Sequence, residues 1–111
     1  MECSEHLRAE IDTYCFLVRT RCKPAAALAV QQRFIASAIQ HGAFFDTGLQ
    51  VYTEELADGW VTLWIYKFSH ILEVIKSLPQ APETSFDHWV LGKLFGYSED
   101  SIAEYLADFS K

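Results

Sequence analysis

Apolar residues recur at three- and four-residue intervals from the start of the chain. Leu7, Ile11, Tyr14, Cys15, Val18 and Cys22 form one stripe, with Glu10, Asp12, Arg19 and Arg21 elsewhere, which predicts a helix over residues 4–22. Ser4 suits its N-cap, where a hydroxyl accepts from an otherwise unsatisfied backbone N–H. Phe16 lies off the stripe, so either the helix is covered on two sides or Phe16 belongs to an association surface. Pro24 suits the first turn of a second helix, where a missing N–H costs nothing. Ala27, Val30, Phe34, Ile35 and Ala38 continue as its apolar face to a stop at Gly42. The alanines after Pro24 would let another backbone approach closely. The two segments most simply pair as an antiparallel helical hairpin.

Residues 49–66 carry two patterns at once. They would continue as a long helix, or fold as a β-hairpin turning at Asp58-Gly59. A helix would hold Gly59 in its interior and set Lys67 among Trp60, Leu63, Trp64 and Ile71. Asp-Gly between β-branched and aromatic residues favours the hairpin, because the turn requires positive φ and glycine adopts it cheaply. On that strand Trp60, Thr62, Trp64 and Tyr66 share one face and Val61, Leu63 and Ile65 the other.

Helical spacing returns at Phe68, Ile71, Leu72, Ile75 and Leu78, and Pro79 ends it. Thr84 or Ser85 caps a further helix bearing Phe86, Trp89, Val90, Leu94 and Phe95, closed by Gly96. Ser98 caps the last helix, where Glu99 and Asp100 complement the helix dipole and Ile102, Tyr105, Leu106 and Phe109 face inward. The expected fold is mainly α, of the α+β type, in a single domain over residues 1–111. It consists of an N-terminal helical hairpin, a short β-hairpin around residues 49–66 and three C-terminal helices, the last two a helix-turn-helix-like pair.

Composition narrows the class. The chain has 111 residues, half of them hydrophobic, which suffices for one core and argues against disorder. The longest uncharged stretch, Phe34 to Phe45, falls short of the roughly 18 apolar residues of a membrane span, and Met1 to Glu5 lacks the features of a signal peptide. Cys3, Cys15 and Cys22 are an odd set, read as reduced thiols, so the expected location is cytoplasmic. The net charge is −6, and from Glu83 onward six acids face two lysines. An acidic chain is poorly suited to nucleic acid or anionic membranes, where cations supply the affinity.

Candidate chemistry is sparse. The segment from Val90 to Leu106 resembles a DNA-binding helix-turn-helix, with Gly92 at the crossing and Gly96 in the turn. Its would-be recognition helix, however, offers Glu99, Asp100, Ser101 and Glu104 and no Arg, Lys, Asn or Gln to read bases. Asp46-Thr47-Gly48 matches the triplet of retroviral-type aspartic proteases, but its flanks read as helical and the triplet is also ordinary turn chemistry. His6, His41, His70 and His88 are scattered, and Cys3 with His6 alone is far from a four-ligand zinc site. No catalytic residues, metal or cofactor are assigned, and an enzyme is not expected.

From Trp60 onward, the order Gly-Trp…Trp-Ile-Tyr-Lys, Ser-Leu-Pro79 and His88-Trp-Val-Leu-Gly92-Lys-Leu-Phe-Gly96-Tyr-Ser98 resembles short uncharacterised proteins of bacteria, their phages and mobile elements. The resemblance implies a small accessory protein and no particular activity. The functional expectation is a non-enzymatic protein–protein interaction module or inhibitor. Trp60, Trp64 and Tyr66 on the strand face, or Glu99, Asp100 and Glu104 on the last helix, would meet a partner with a basic surface or a second subunit. The alternative is a helix-turn-helix-like transcription regulator.

Overall fold

The chain forms a mixed α+β structure, seen in a computed structural model that describes residues 4–20, 22–42, 48–78 and 82–109. In chain order the elements are α1 (Glu5–Arg19), β1 (Ala25–Gln31), a single 3₁₀ turn, α2 (Ile35–Gly42), β2 (Gln50–Ala57), β3 (Trp60–Tyr66), α3 (Ser69–Ser77), α4 (Ser85–Leu94) and α5 (Glu99–Phe109). The three strands make one antiparallel sheet in the order β1-β3-β2.

The N-terminal helical hairpin does not form as expected. Ala25 to Gln31 is a strand, pairing along its whole length with β3 from Tyr66 to Trp60, and only residues 35–42 of the expected second helix are α-helical. Ala26, Leu28 and Val30 also alternate, so this short apolar run satisfies both periods. Alanine's helical preference amounts to a few tenths of a kcal/mol over most residues, and the need of β3 for a partner on its second edge outweighs it. A lone two-stranded hairpin with two apolar faces would be marginal.

The hairpin over residues 50–66 turns at Asp58-Gly59, with Gly59 at φ +78° and its carbonyl accepting from the Gln32 N–H at 2.8 Å. That bond ties the end of β1 to the turn of the neighbouring hairpin. Leu56 is bulged between Glu55 and Ala57 in the register with β3.

β3 lies at the centre and is buried on both faces, which explains its unbroken apolar sequence. Leu63 and Ile65 pack with Ala26, Leu28 and Val30 beneath Ile11, Cys15 and Val18 of α1 and Ala38 of α2. Trp64 and Tyr66 pack with Ala25 against Ile75 of α3 and Leu94 of α4. The sheet thus separates two helical layers. Removing a Leu63 or Ile65 side chain from water contributes about 1.5–3 kcal/mol.

Local signals place the helix ends. Ser4 Oγ accepts from the Leu7 N–H at 3.2 Å. Thr84, not Ser85, caps α4 through a reciprocal capping box with Asp87. α4 closes with Gly96 at φ +84°, the Gly96 N–H donating to the Lys93 carbonyl and the Tyr97 N–H to the Gly92 carbonyl, a Schellman arrangement. Ser98 Oγ then accepts from the Ser101 N–H at 3.1 Å to begin α5.

Candidate protein-docking surface

The predicted aromatic strand face is a core, not a surface. Trp64 and Tyr66 are buried at 7% and 3% exposure, because α3 and α4 fold back over them. Trp64 stacks on Phe95 with ring centroids 5.7 Å apart and planes at 3°, and its indole N–H donates to Glu54 Oε1 at 2.7 Å. That hydrogen bond satisfies the polar end of a ring whose body is sequestered. Trp60, at the turn end of β3, is 40% exposed and stands apart from this cluster. The expectation of Trp64 and Tyr66 as partner contacts is therefore corrected.

The exposed rings lie instead on the C-terminal pair. Residues 86, 89, 90, 91, 94 and 95 are more apolar positions than one helix face can bury. The α4 segment resolves the conflict by turning Leu91, Leu94 and Phe95 to the sheet and leaving Phe86 at 69% and Trp89 at 38% exposure. Tyr105, expected to face inward, is 54% exposed. Phe86 and Trp89 stack at 6.4 Å.

Between α4 and α5 runs a cleft of about 410 Å³, lined by His88, Leu91, Phe95, Tyr97, Ile102 and Tyr105 among others. Gly92 makes it: the two helices approach so closely that a Cβ there would stand 2.8 Å from Ile102 Cγ1. The His88 and Tyr105 rings meet at 5.1 Å across it. An apolar cleft with a few polar groups is the usual form of a binding pocket.

On α5, the acids Asp100 and Glu104 directly precede Ser101 and Tyr105, which line the cleft. Glu99, one of the predicted contacts, is held by its own chain: Lys93 Nζ lies 2.8 Å from Oε1 and the Trp89 indole N–H donates to Oε2 at 3.1 Å. The Lys93 bond first, and the Trp89 bond second, hold its carboxyl below the usual range. Asp100 and Glu104, the other two predicted contacts, are exposed on α5, and with Asp108 they form a row at four-residue spacing. Such a row of like charges costs a few tenths of a kcal/mol per neighbouring pair, and α5 contains no Lys or Arg.

The remaining candidates do not converge. His41 Nε2 lies 2.9 Å from Asp12 Oδ1, joining α2 to α1 on one side of the sheet, whereas His88 sits on α4 on the other. Asp46 and Thr47 of the Asp-Thr-Gly triplet, Arg21 and Cys3 lie outside the described residues. Among the described residues no three His, Cys, Asp or Glu side chains come together as a metal-binding group, and no helix is long and apolar enough to cross a membrane. Comparison of the chain with protein-family models, with curated proteins and with solved structures finds no match in any of the three.

Proposed function

We propose that this protein is a non-enzymatic interaction module that docks on a protein partner through its α4–α5 pair. The observation that supports the reading is the coincidence, on one helix pair, of exposed Phe86, Trp89, Tyr97 and Tyr105, an apolar cleft between the helices and the acidic row Asp100, Glu104 and Asp108. Exposed aromatic groups beside a pocket are the usual anchors of a protein interface. The acidic border selects a partner presenting Lys or Arg, steering it by charge and receiving its cations on the rim. A small accessory protein or inhibitor that occupies a basic surface of another protein fits this chemistry.

The test is crosslinking and capture from the source cells, followed by reconstitution with the purified partner. Asp100→Lys with Glu104→Lys, and separately Tyr105→Ala, should each weaken binding at least tenfold while leaving the circular dichroism unchanged. Undiminished binding by both variants would overturn the reading.

DNA binding by the same pair is the second reading, favoured by the tight helix crossing at Gly92 and the Gly96 turn. The charges of α5 oppose it, since like charges would meet the phosphates. An electrophoretic mobility shift with random duplex at low salt and micromolar protein would revive it.

A further inference from the structure

β2 is an edge strand. Its inner side pairs with β3, and among the described residues no backbone hydrogen bond outside that ladder involves residues 50–57. An edge strand directs alternate N–H and C=O groups outward, ready to pair with another chain. Thr53, Glu55 and Leu56 are exposed, so the outer half of the strand stands clear of the helices on either face of the sheet.

Next to this edge lies a groove of about 800 Å³. Trp64, Ile75, Leu91 and Phe95 line it on one side, and β2 from Tyr52 to Leu56 lines it on the other. Glu54, Glu55 and Asp87 also line it, and none of them belongs to an ion pair among the described residues. Glu54 accepts from the Trp64 indole, Asp87 accepts the backbone N–H groups of Glu83 and Thr84, and Lys76 is engaged over the Tyr52 ring at 5.4 Å. The groove is therefore apolar along its floor and negative along its margin.

These features choose among occupants. A second copy pairing edge to edge would bring the Glu54–Glu55 pairs of both strands to one seam with no Lys or Arg in β2 to offset them, and like charges facing each other across strands are destabilising. A basic segment meets the opposite situation.

We propose that the β2 edge and its groove bind an extended, basic segment of another protein, which joins the sheet as a fourth strand. Its main chain pairs with residues 50–55, before the Leu56 bulge ends the regular edge. That length accommodates about 20 Å of strand. One alternate set of side chains falls on the groove side, where aliphatic portions rest on Tyr52 and Phe95 and a Lys or Arg head reaches Glu54, and the other set falls on the opposite face, where a second cation meets Glu55. This is strand addition, in which the main chain provides affinity and the side-chain pockets provide selectivity. The groove shares Leu91 and Phe95 with the α4–α5 cleft, but its pairing edge is β2, and the proposal does not depend on the docking reading given above.

The experiment titrates the ¹⁵N-labelled full chain with a capped octapeptide of alternating lysine and valine. Saturable shifts should concentrate on residues 50–57 and the Trp64 indole N–H. Binding should weaken at least tenfold in Glu55→Lys, an exposed site where folding is retained. It should weaken as much when one of the two alternating sets of peptide nitrogens is methylated, which blocks main-chain pairing without altering the protein or the peptide charge. The proposal is overturned if a glutamate–valine peptide binds equally well, if both methylated peptides bind like the parent, if the shifts fall on α4–α5 instead, or if the free chain dimerises through β2.

Discussion

Gly92 lies directly beneath Ile102: a Cβ on Gly92 would stand 2.8 Å from Ile102 Cγ1 and 3.0 Å from Cδ1. Ile102 is 4% exposed, so it has little room to yield. Gly92→Ala gains roughly 1 kcal/mol of helix propensity but overpacks the crossing by about 1–3 kcal/mol. The expected outcome is net destabilisation in urea melts. In an Ile102→Ala background the same substitution should become stabilising, because the clash is gone and the propensity gain remains. Equal effects in both backgrounds would show that the contact does not set the crossing.

Gly96 and Gly59 both hold positive φ, +84° and +78°, but differ in surroundings. A Cβ at Gly96 would meet Lys23 Cβ at 2.8 Å and the Cys22 carbonyl oxygen at 3.0 Å, whereas one at Gly59 meets nothing within 4 Å. Gly59→Ala should therefore cost only the left-handed penalty of about 1–2 kcal/mol. Gly96→Ala should cost more, because it also pushes the α1–β1 connection away from α4. Comparison of the two urea midpoints tests the order.

Asp87 and Glu99 should shape the acid limb of stability. The Glu83 N–H is the leading cause holding the Asp87 carboxyl below its ordinary value, joined by Thr84 through backbone and hydroxyl. Lys93 and then Trp89 do the same for Glu99. A folded value below the unfolded one means that the native state binds fewer protons. The stabilisation is then fully present above the unfolded values, about 3.9 for Asp and 4.3 for Glu, and is lost as pH falls through the folded ones. Urea midpoints from pH 7 to 3 should decline at the acid end, with a shallower decline in Asp87→Asn and Glu99→Gln. Superimposable profiles would refute the assignment.

Cys15 and Cys22 should differ in reactivity. Burial, reinforced by Asp12 and opposed by Arg19, pushes the Cys15 thiol up to about 11, while Cys22 is exposed. Since the thiolate is the nucleophile, iodoacetamide at pH 8 should label Cys22 in the folded chain and Cys15 only after denaturation. Peptide mass mapping reads both sites at once, and equal labelling rates would contradict the buried placement.

The docking surface was half legible in the sequence. Asp100 and Glu104 are exposed as their charge requires, since an unpaired charge is not buried. Tyr105 reads as inward because apolar spacing marks a face without showing how much of it neighbouring elements cover. The excess of apolar positions between Phe86 and Phe95 was the available signal.

What the sequence determined by itself is everything that acts within a few residues. The caps at Ser4, Thr84 and Ser98, the stop at Gly96 and the Asp58-Gly59 turn depend on local hydrogen bonds and on glycine's freedom at positive φ. What only the tertiary structure decided depends on partners far along the chain. Ala25 to Gln31 became a strand because β3, some thirty residues later, offered it a complete edge. Trp64 became core because α3 and α4 close over the second sheet face. Intrinsic preferences of a few tenths of a kcal/mol per residue yield to burial worth kcal/mol per side chain, and the surface left for a partner is what remains after that competition.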